Sequence, residues 1–147
     1  MGDRMGPAAE HDHADADALA EAIARAYRQA GIQDPRREID VAELYAPFSN
    51  IELHAIEAAR LCDKGQAGWL LEKGEFHLGR RQPVNPSGGV LCANPIAVTA
   101  MVRVAEAALQ VMGHAGERQV DGARTALATG IGGDHQFYGA MVLRGGS

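Results

Sequence analysis

VNPSGGVLCANPIAVTAMVRVAEAALQVMG, residues 84–113, decides the fold. A proline- and glycine-rich turn runs into a long apolar segment, and the junction carries the usual signals of a helix start. Asn94 suits the N-cap, and Pro95 the first helical position, where its missing N–H costs nothing. Ile96, Met101, Val104, Ala108, Leu109 and Met112 then recur at helical intervals, so they are expected to face a core. Gly113 supplies the stop. Downstream, ARTALAT (123–129) and FYGAMVL (137–143) read as two strands joined by GIGGDHQ. Upstream, residues 63–89 are punctuated by glycines, Pro83 and Pro86, and are expected to form an extended surface loop.

Earlier in the chain, Ser49 and Glu52 form the S-x-x-E capping-box pattern, which predicts a helix running to Asp63. EIDVAELY (38–45) alternates apolar and acidic residues as a strand does. ALAEAIARAYRQA (18–30) places Leu19, Ile23, Ala26, Tyr27 and Ala30 on one helical face, with Gly31 as its stop. The order of helix, strand, helix, loop, long helix, strand, strand implies an α/β layered domain over residues 17–147.

The 147 residues suffice for one domain with a core, and 46% hydrophobic with 22% charged residues is ordinary for a globular chain. A formal charge of −5 argues against a nucleic-acid partner, because Arg36–Arg37 and Arg80–Arg81 make pairs rather than a stripe. No apolar run approaches the ~20 residues of a membrane span. Cys62 and Cys92 match neither metal-site spacing nor a disulfide framework, so a reducing cytoplasm is expected. Residues 1–16 are polar and rich in small residues, and are expected as a disordered tail. His11 and His13 lie in that tail without a fold to fix them, so no metal site is expected there.

AYRQAGIQDPRREIDVAELYAPFS, LCDKGQAGWLLEKG, PVNPSGGVLCANPIAVTA and GARTALATGIGGDHQ follow one another in an order and spacing that resemble the C-terminal half of the thiolase superfamily. The branch most resembled is that of the sterol-carrier and lipid-transfer thiolases, which includes thiolase-like aldolases. The resemblance covers roughly residues 18 to 143. It implies carbon–carbon bond cleavage or formation on an acyl-coenzyme A thioester, which would be the substrate. No covalently bound cofactor and no metal are implied.

In such proteins the C-terminal half lends three loops to a site whose nucleophilic cysteine lies in the N-terminal half. This sequence departs at all three. Tyr45 stands at the polar position of the first loop, Asn94 stands where a histidine belongs, and Gly130 stands where a cysteine or asparagine belongs. An amide cannot accept a proton at neutral pH and glycine has nothing to titrate, so a standard two-step thiolase reaction is not expected. Tyr45 and Asn94 can still donate hydrogen bonds to a carbonyl oxygen, an effect commonly worth ~3 kcal/mol per donor. Tyrosine in place of a thiolase residue suits the retro-aldol variant. His135 is a candidate replacement base. Ser87, Gly88 and Gly89, together with Gly132 and Gly133, are the candidate substrate-binding backbone. Against these readings stand simpler ones: Asn94 as a helix cap, Tyr45 as a packing residue, and Cys92 as a small buried thiol rather than a nucleophile.

The resemblance also implies two long apolar strands ahead of the helix at 18–30, and the tail cannot supply a buried strand. The remaining strands would then keep an unpaired inner edge, and the long helix an uncovered face. The expected partner is therefore a thiolase-like subunit, either an N-terminal half that completes a composite site or a full-length enzyme stabilised by a non-catalytic chain. An OB-fold protein with a zinc ribbon is a further expected partner.

Overall fold

The structure, a computed structural model, describes residues 2–3, 16–132 and 137–146. Its elements in chain order are β1 (Gly2–Asp3), α1 (Asp17–Ala30), α2 (Pro35–Glu38), β2 (Val41–Glu43), α3 (Ser49–Ala58), α4 (Ala67–Glu72), α5 (Gly89–Cys92), α6 (Thr99–Met112), a 3-10 turn (Gly116–Arg118), β3 (Thr125–Gly132) and β4 (Phe137–Arg144). The strands form one sheet in the order β1-β4-β3-β2. β2 runs parallel to β3, and β3 and β4 form an antiparallel pair.

Helices cover both faces of the sheet, as the α/β reading requires. On one face, Leu19, Ile23 and Tyr27 of α1 and Ala55 and Ile56 of α3 pack with Ala42, Leu44, Leu127 and Tyr138. The Tyr27 hydroxyl donates to the Ala59 carbonyl at 2.8 Å, which satisfies the one polar atom that this ring brings into the core. On the other face, Ala107 of α6 packs with Val41, Ala126 and Ala128. Alanines dominate this second core, so α6 lies close against the sheet. Asp40 Oδ2 accepts from the amides of Arg124 and Thr125, each at 2.9 Å, and this clamps the starts of β2 and β3 together.

Several expectations need correction. The sheet has no interior gap, because β2 pairs directly with β3 and β3 with β4. The open positions lie instead on the outer edge of β4: Gly2 and Asp3 pair with Tyr138 and Phe137, and residues 139–144 have no neighbour on that side among the described residues. Within the stretch expected as a tail, only Gly2–Asp3 and Ala16 are described, and His11 and His13 lie outside the described residues.

α3 ends at Ala58 rather than Asp63 and has no side-chain cap. Glu52 is drawn away from capping, since its Oε1 accepts from Asn85 Nδ2 at 2.6 Å. The expected surface loop at 63–89 holds α4, the buried Phe76 and the buried Gln82, and Val84 bridges to Ala42 on the free side of β2. Gly65, Gly74, Gly79, Gly88 and Gly89 adopt left-handed turns there, and Gly68 lies within α4.

The largest departure concerns α6. Its buried residues are Thr99, Arg103, Ala107 and Gln110. Val104 packs against the core as expected, but Met101 is 70% and Met112 60% exposed, and Ile96 in the preceding loop is 85% exposed. Gln110 is satisfied inside by the Arg118 carbonyl and the Val120 amide, at 2.7 and 2.8 Å. The helix therefore buries polar residues beside Ala107, with Val104 and Val111 packed on the same core, and turns Met101 and Met112 outward.

Candidate functional site

The three loops of interest meet at the C-terminal ends of the parallel strands, where open α/β sheets usually bind ligands. Tyr45 follows β2 directly, and its backbone N–H donates to the buried Thr129 hydroxyl on β3 at 2.8 Å. Beside Thr129 is Gly130, where an added Cβ would lie 2.8 Å from the Ala100 Cβ in the first turn of α6. Next to Ala100, the Thr99 hydroxyl donates to Asn94 Oδ1 at 2.7 Å. One continuous chain of contacts thus joins Tyr45 to Asn94 through Thr129, Gly130, Ala100 and Thr99.

Asn94 does not cap the helix. The N-cap position is Val98, α6 has no side-chain cap, and Pro95 lies four residues ahead of the helix rather than at its first position. The Asn94 carbonyl oxygen is occupied by Thr99, while Nδ2 has no partner among the described residues and the residue is exposed. The unpaired first-turn amides of α6 add a partial positive charge close by. Between Asn94 and the helix, Ala97 adopts φ 79, a conformation that normally favours glycine.

Ser87 is held from below. Its hydroxyl donates to Glu43 Oε2 at 2.7 Å and its amide to Glu43 Oε1 at 3.2 Å, and Gly89 N–H donates to Ser87 Oγ at 3.2 Å. Arg103 Nη1 donates both to Glu43 Oε2 and to Ser87 Oγ, each at 2.8 Å. Glu43 is fully buried and Arg103 is 2% exposed. Burial pushes the Glu43 carboxyl above its usual range, while Ser87 and Arg103 draw it back down. Among the described residues, Arg103 Nε has no hydrogen-bond partner. Asn85, at φ 50, completes the loop by accepting from the Leu44 amide at 2.7 Å.

Sequence reasoning missed this ion pair. The available signal was an acid inside the buried strand VAE and an arginine four residues beyond Thr99. Ser87, Gly88 and Gly89 therefore sit on a rigid loop, with Gly88 and Gly89 both at positive φ. Gly132 is exposed at the end of β3. His135 and Gly133 lie outside the described residues. Cys92, expected to be buried, is exposed, whereas Cys62 is buried and its thiol is pushed up to about 11. Among the described residues no group of acids, histidines and cysteines could hold a metal ion, and no helix is long and apolar enough to cross a membrane.

Comparison with known proteins fits this geometry. Residues 4–145 match the family model described as "Thiolase C-terminal domain-like". The chain is 39% identical over 124 residues to sterol carrier protein 2 of Homo sapiens, covering 84% of this chain and 22% of that protein. It is 34% identical over 132 residues to an acetyl-CoA acetyltransferase of Methanothermobacter thermautotrophicus, covering 87% of this chain and 34% of that one. Among solved structures it is similar to a chain described as "Ltp2-ChsH2(DUF35) aldolase", with a TM-score of 0.81 at 23% identity, covering 97% of this chain and 37% of that chain. The chain thus spans about a third or less of the curated relatives it matches. The match across nearly its whole length, with the three loops gathered at one end of the sheet, places this chain in the thiolase C-terminal domain-like family.

Proposed function

We propose that this chain forms the C-terminal-half portion of a thiolase-like assembly acting on acyl-coenzyme A thioesters in a reducing cytoplasm. Its partner surface would carry the N-terminal half and the nucleophile loop. One observation carries the reading: α6 buries Thr99, Arg103 and Gln110 and exposes Met101 and Met112. Leu91, Ile96 and Val98 extend the same apolar character through the loop that bears Asn94. Exposed apolar residues in such number mark an interaction surface, and Ile96, Val98 and Met101 lie close in sequence to Asn94.

The chemistry that fits is cleavage or formation of a carbon–carbon bond next to the thioester. In retro-aldol cleavage of a β-hydroxyacyl thioester, a base takes the hydroxyl proton and the Cα–Cβ bond breaks. The electron pair passes to the thioester enolate, and Cα is then protonated. Asn94 Nδ2 would hold the enolate oxygen, and the Tyr45 phenol would carry a proton. Gly130 takes no part, having no side chain.

The second reading is a structural chain that stabilises an active thiolase-like partner. The observation in its favour is Ala100, whose methyl occupies the space a titratable side chain at position 130 would need. A further OB-fold, zinc-ribbon partner is compatible with either reading.

The test begins with purification from the native source and identification of what accompanies the chain. Met101→Lys should abolish that association while leaving the chain's own unfolding transition nearly unchanged, because the side chain makes little intramolecular contact. In the recovered assembly, Tyr45→Phe and Asn94→Ala should each depress turnover. Unchanged turnover in both would leave the structural reading. Association that survives Met101→Lys would remove the basis of both.

A further inference from the structure

We propose that Thr99 is a positioning residue that presents the Asn94 amide nitrogen to a substrate oxygen. The proposal rests on the catalytic reading of Asn94 given above and specifies how the fold enforces it. An asparagine amide is two-faced: rotated one way it offers an N–H donor, rotated the other way a carbonyl that would repel an enolate. On an exposed loop nothing intrinsic selects the donor face.

Thr99 makes the selection. Its side chain is 2% exposed, so its rotamer is fixed by packing. Its hydroxyl proton goes to Asn94 Oδ1 at 2.7 Å. With the carbonyl oxygen engaged, the amide plane is fixed, and among the described residues Nδ2 is the group left without a partner. A hydrogen bond of ordinary length between a buried hydroxyl and an exposed amide does little for helix capping here, since the cap position is Val98.

Thr99 is also the neighbour of Ala100, which abuts Gly130, which in turn follows the Thr129 that receives the Tyr45 amide. The donor is therefore tied to the Tyr45 backbone through the buried Thr99 and Thr129 and the half-buried Ala100 and Gly130, and not through the loop itself. Preorganised donors of this kind contribute because they need no reorientation as charge develops.

The experiment is a substitution series in the native assembly, read as kcat and KM on an acyl-coenzyme A substrate. Thr99→Val keeps the shape and removes the hydroxyl, and Thr99→Ser keeps the hydroxyl. Thr99→Val should lower kcat by about tenfold or more with KM nearly unchanged, a part of the loss expected when an oxyanion donor is removed outright. Thr99→Ser should restore most of it. A merely structural threonine would change the unfolding midpoint in both variants and leave no such hydroxyl-dependent kcat pattern. In parallel, the Asn94 side-chain amide signals of isotope-labelled protein should move in Thr99→Val and return in Thr99→Ser.

If Asn94→Ala lowers kcat while Thr99→Val leaves it intact, the positioning proposal is overturned and the catalytic reading of Asn94 stands. If Asn94→Ala itself has no effect, that underlying reading fails and the proposal falls with it.

Discussion

Gly130→Ala adds a single methyl group at the most tightly packed point of the site. The new Cβ would stand 2.8 Å from the Ala100 Cβ. Apolar carbons are comfortable at roughly 3.6 Å, so the first turn of α6 or the strand must retreat by about 0.8 Å. Neither neighbour is the flexible end of a side chain, and α6 is anchored by the buried Arg103–Glu43 pair one turn further along. Overpacking of this sort costs about 1–3 kcal/mol. Ala100→Gly alone removes a methyl and weakens the helix start, at about 1 kcal/mol or less.

The informative quantity is the coupling. Combined, the two substitutions exchange the positions of one methyl, so the double variant should be more stable than the sum of the single variants by about 1–3 kcal/mol. At roughly 2–4 °C per kcal/mol for a chain of this size, thermal unfolding resolves it. The same logic predicts that a cysteine introduced at 130 is accommodated only with Ala100→Gly. Strictly additive effects, or a Gly130→Ala variant within about 0.5 kcal/mol of the parent, would refute the close approach from which the blocked position is inferred.

Three further outcomes follow from the same contacts. Glu43→Gln leaves Arg103 buried without a counter-charge and should destabilise by about 3–5 kcal/mol in urea unfolding, with part recovered by adding Arg103→Met. Ala97→Gly relieves the left-handed backbone at φ 79 and should leave the chain slightly more stable, by about 1 kcal/mol or less, measured by the thermal midpoint. Cys92 should react with a thiol reagent at neutral pH while Cys62, buried and pushed up to about 11, stays unmodified until unfolding, as mass spectrometry of a labelling time course would show.

The fold was legible where local signals and tertiary packing agree. At α1, Leu19, Ile23 and Tyr27 announce a helical face, Gly31 a left-handed end, and all are found as read. β3 and β4 are strands as read, although β3 runs on through Gly130–Gly132, where the sequence pattern suggests the joining loop. The misreadings share one physical cause, namely side chains that bond to a partner other than the one their local pattern suggests. Glu52 has the spacing of a capping box, but its carboxylate goes to Asn85, far away in sequence. Asn94 precedes proline as a cap does, yet three further loop residues intervene before Val98, and its side chain bonds to Thr99. Gln82 looks like loop, but its amide is buried and donates to the carbonyls of Pro35 and Ile39 at 2.7 and 2.8 Å. No local pattern encodes these pairings. Tyr45, Asn94 and Gly130 were found through family likeness; Thr99, Thr129, Glu43 and Arg103, which hold them, emerged only from the coordinates.

The pattern of α6 shows why an apolar stripe alone cannot orient a helix. Two stripes run along it: Met101, Ala105, Ala108 and Met112 on one side, and Thr99, Arg103, Ala107 and Gln110 on the other. The usual rule assigns the apolar stripe to the core, because an isolated domain has only one place to hide it. That rule fails when most polar groups inside can be matched, and here β2 offers Glu43, and the neighbouring loops offer Ser87 and the Arg118 carbonyl and Val120 amide, as partners. A buried arginine paired in this way commits the helix to one rotation, since turning the Met stripe inward would strand both Glu43 and Arg103. The apolar stripe, with Met101 and Met112, is then left exposed. In the assembly proposed above, one neighbour would cover the exposed methionines and also meet the Asn94 amide.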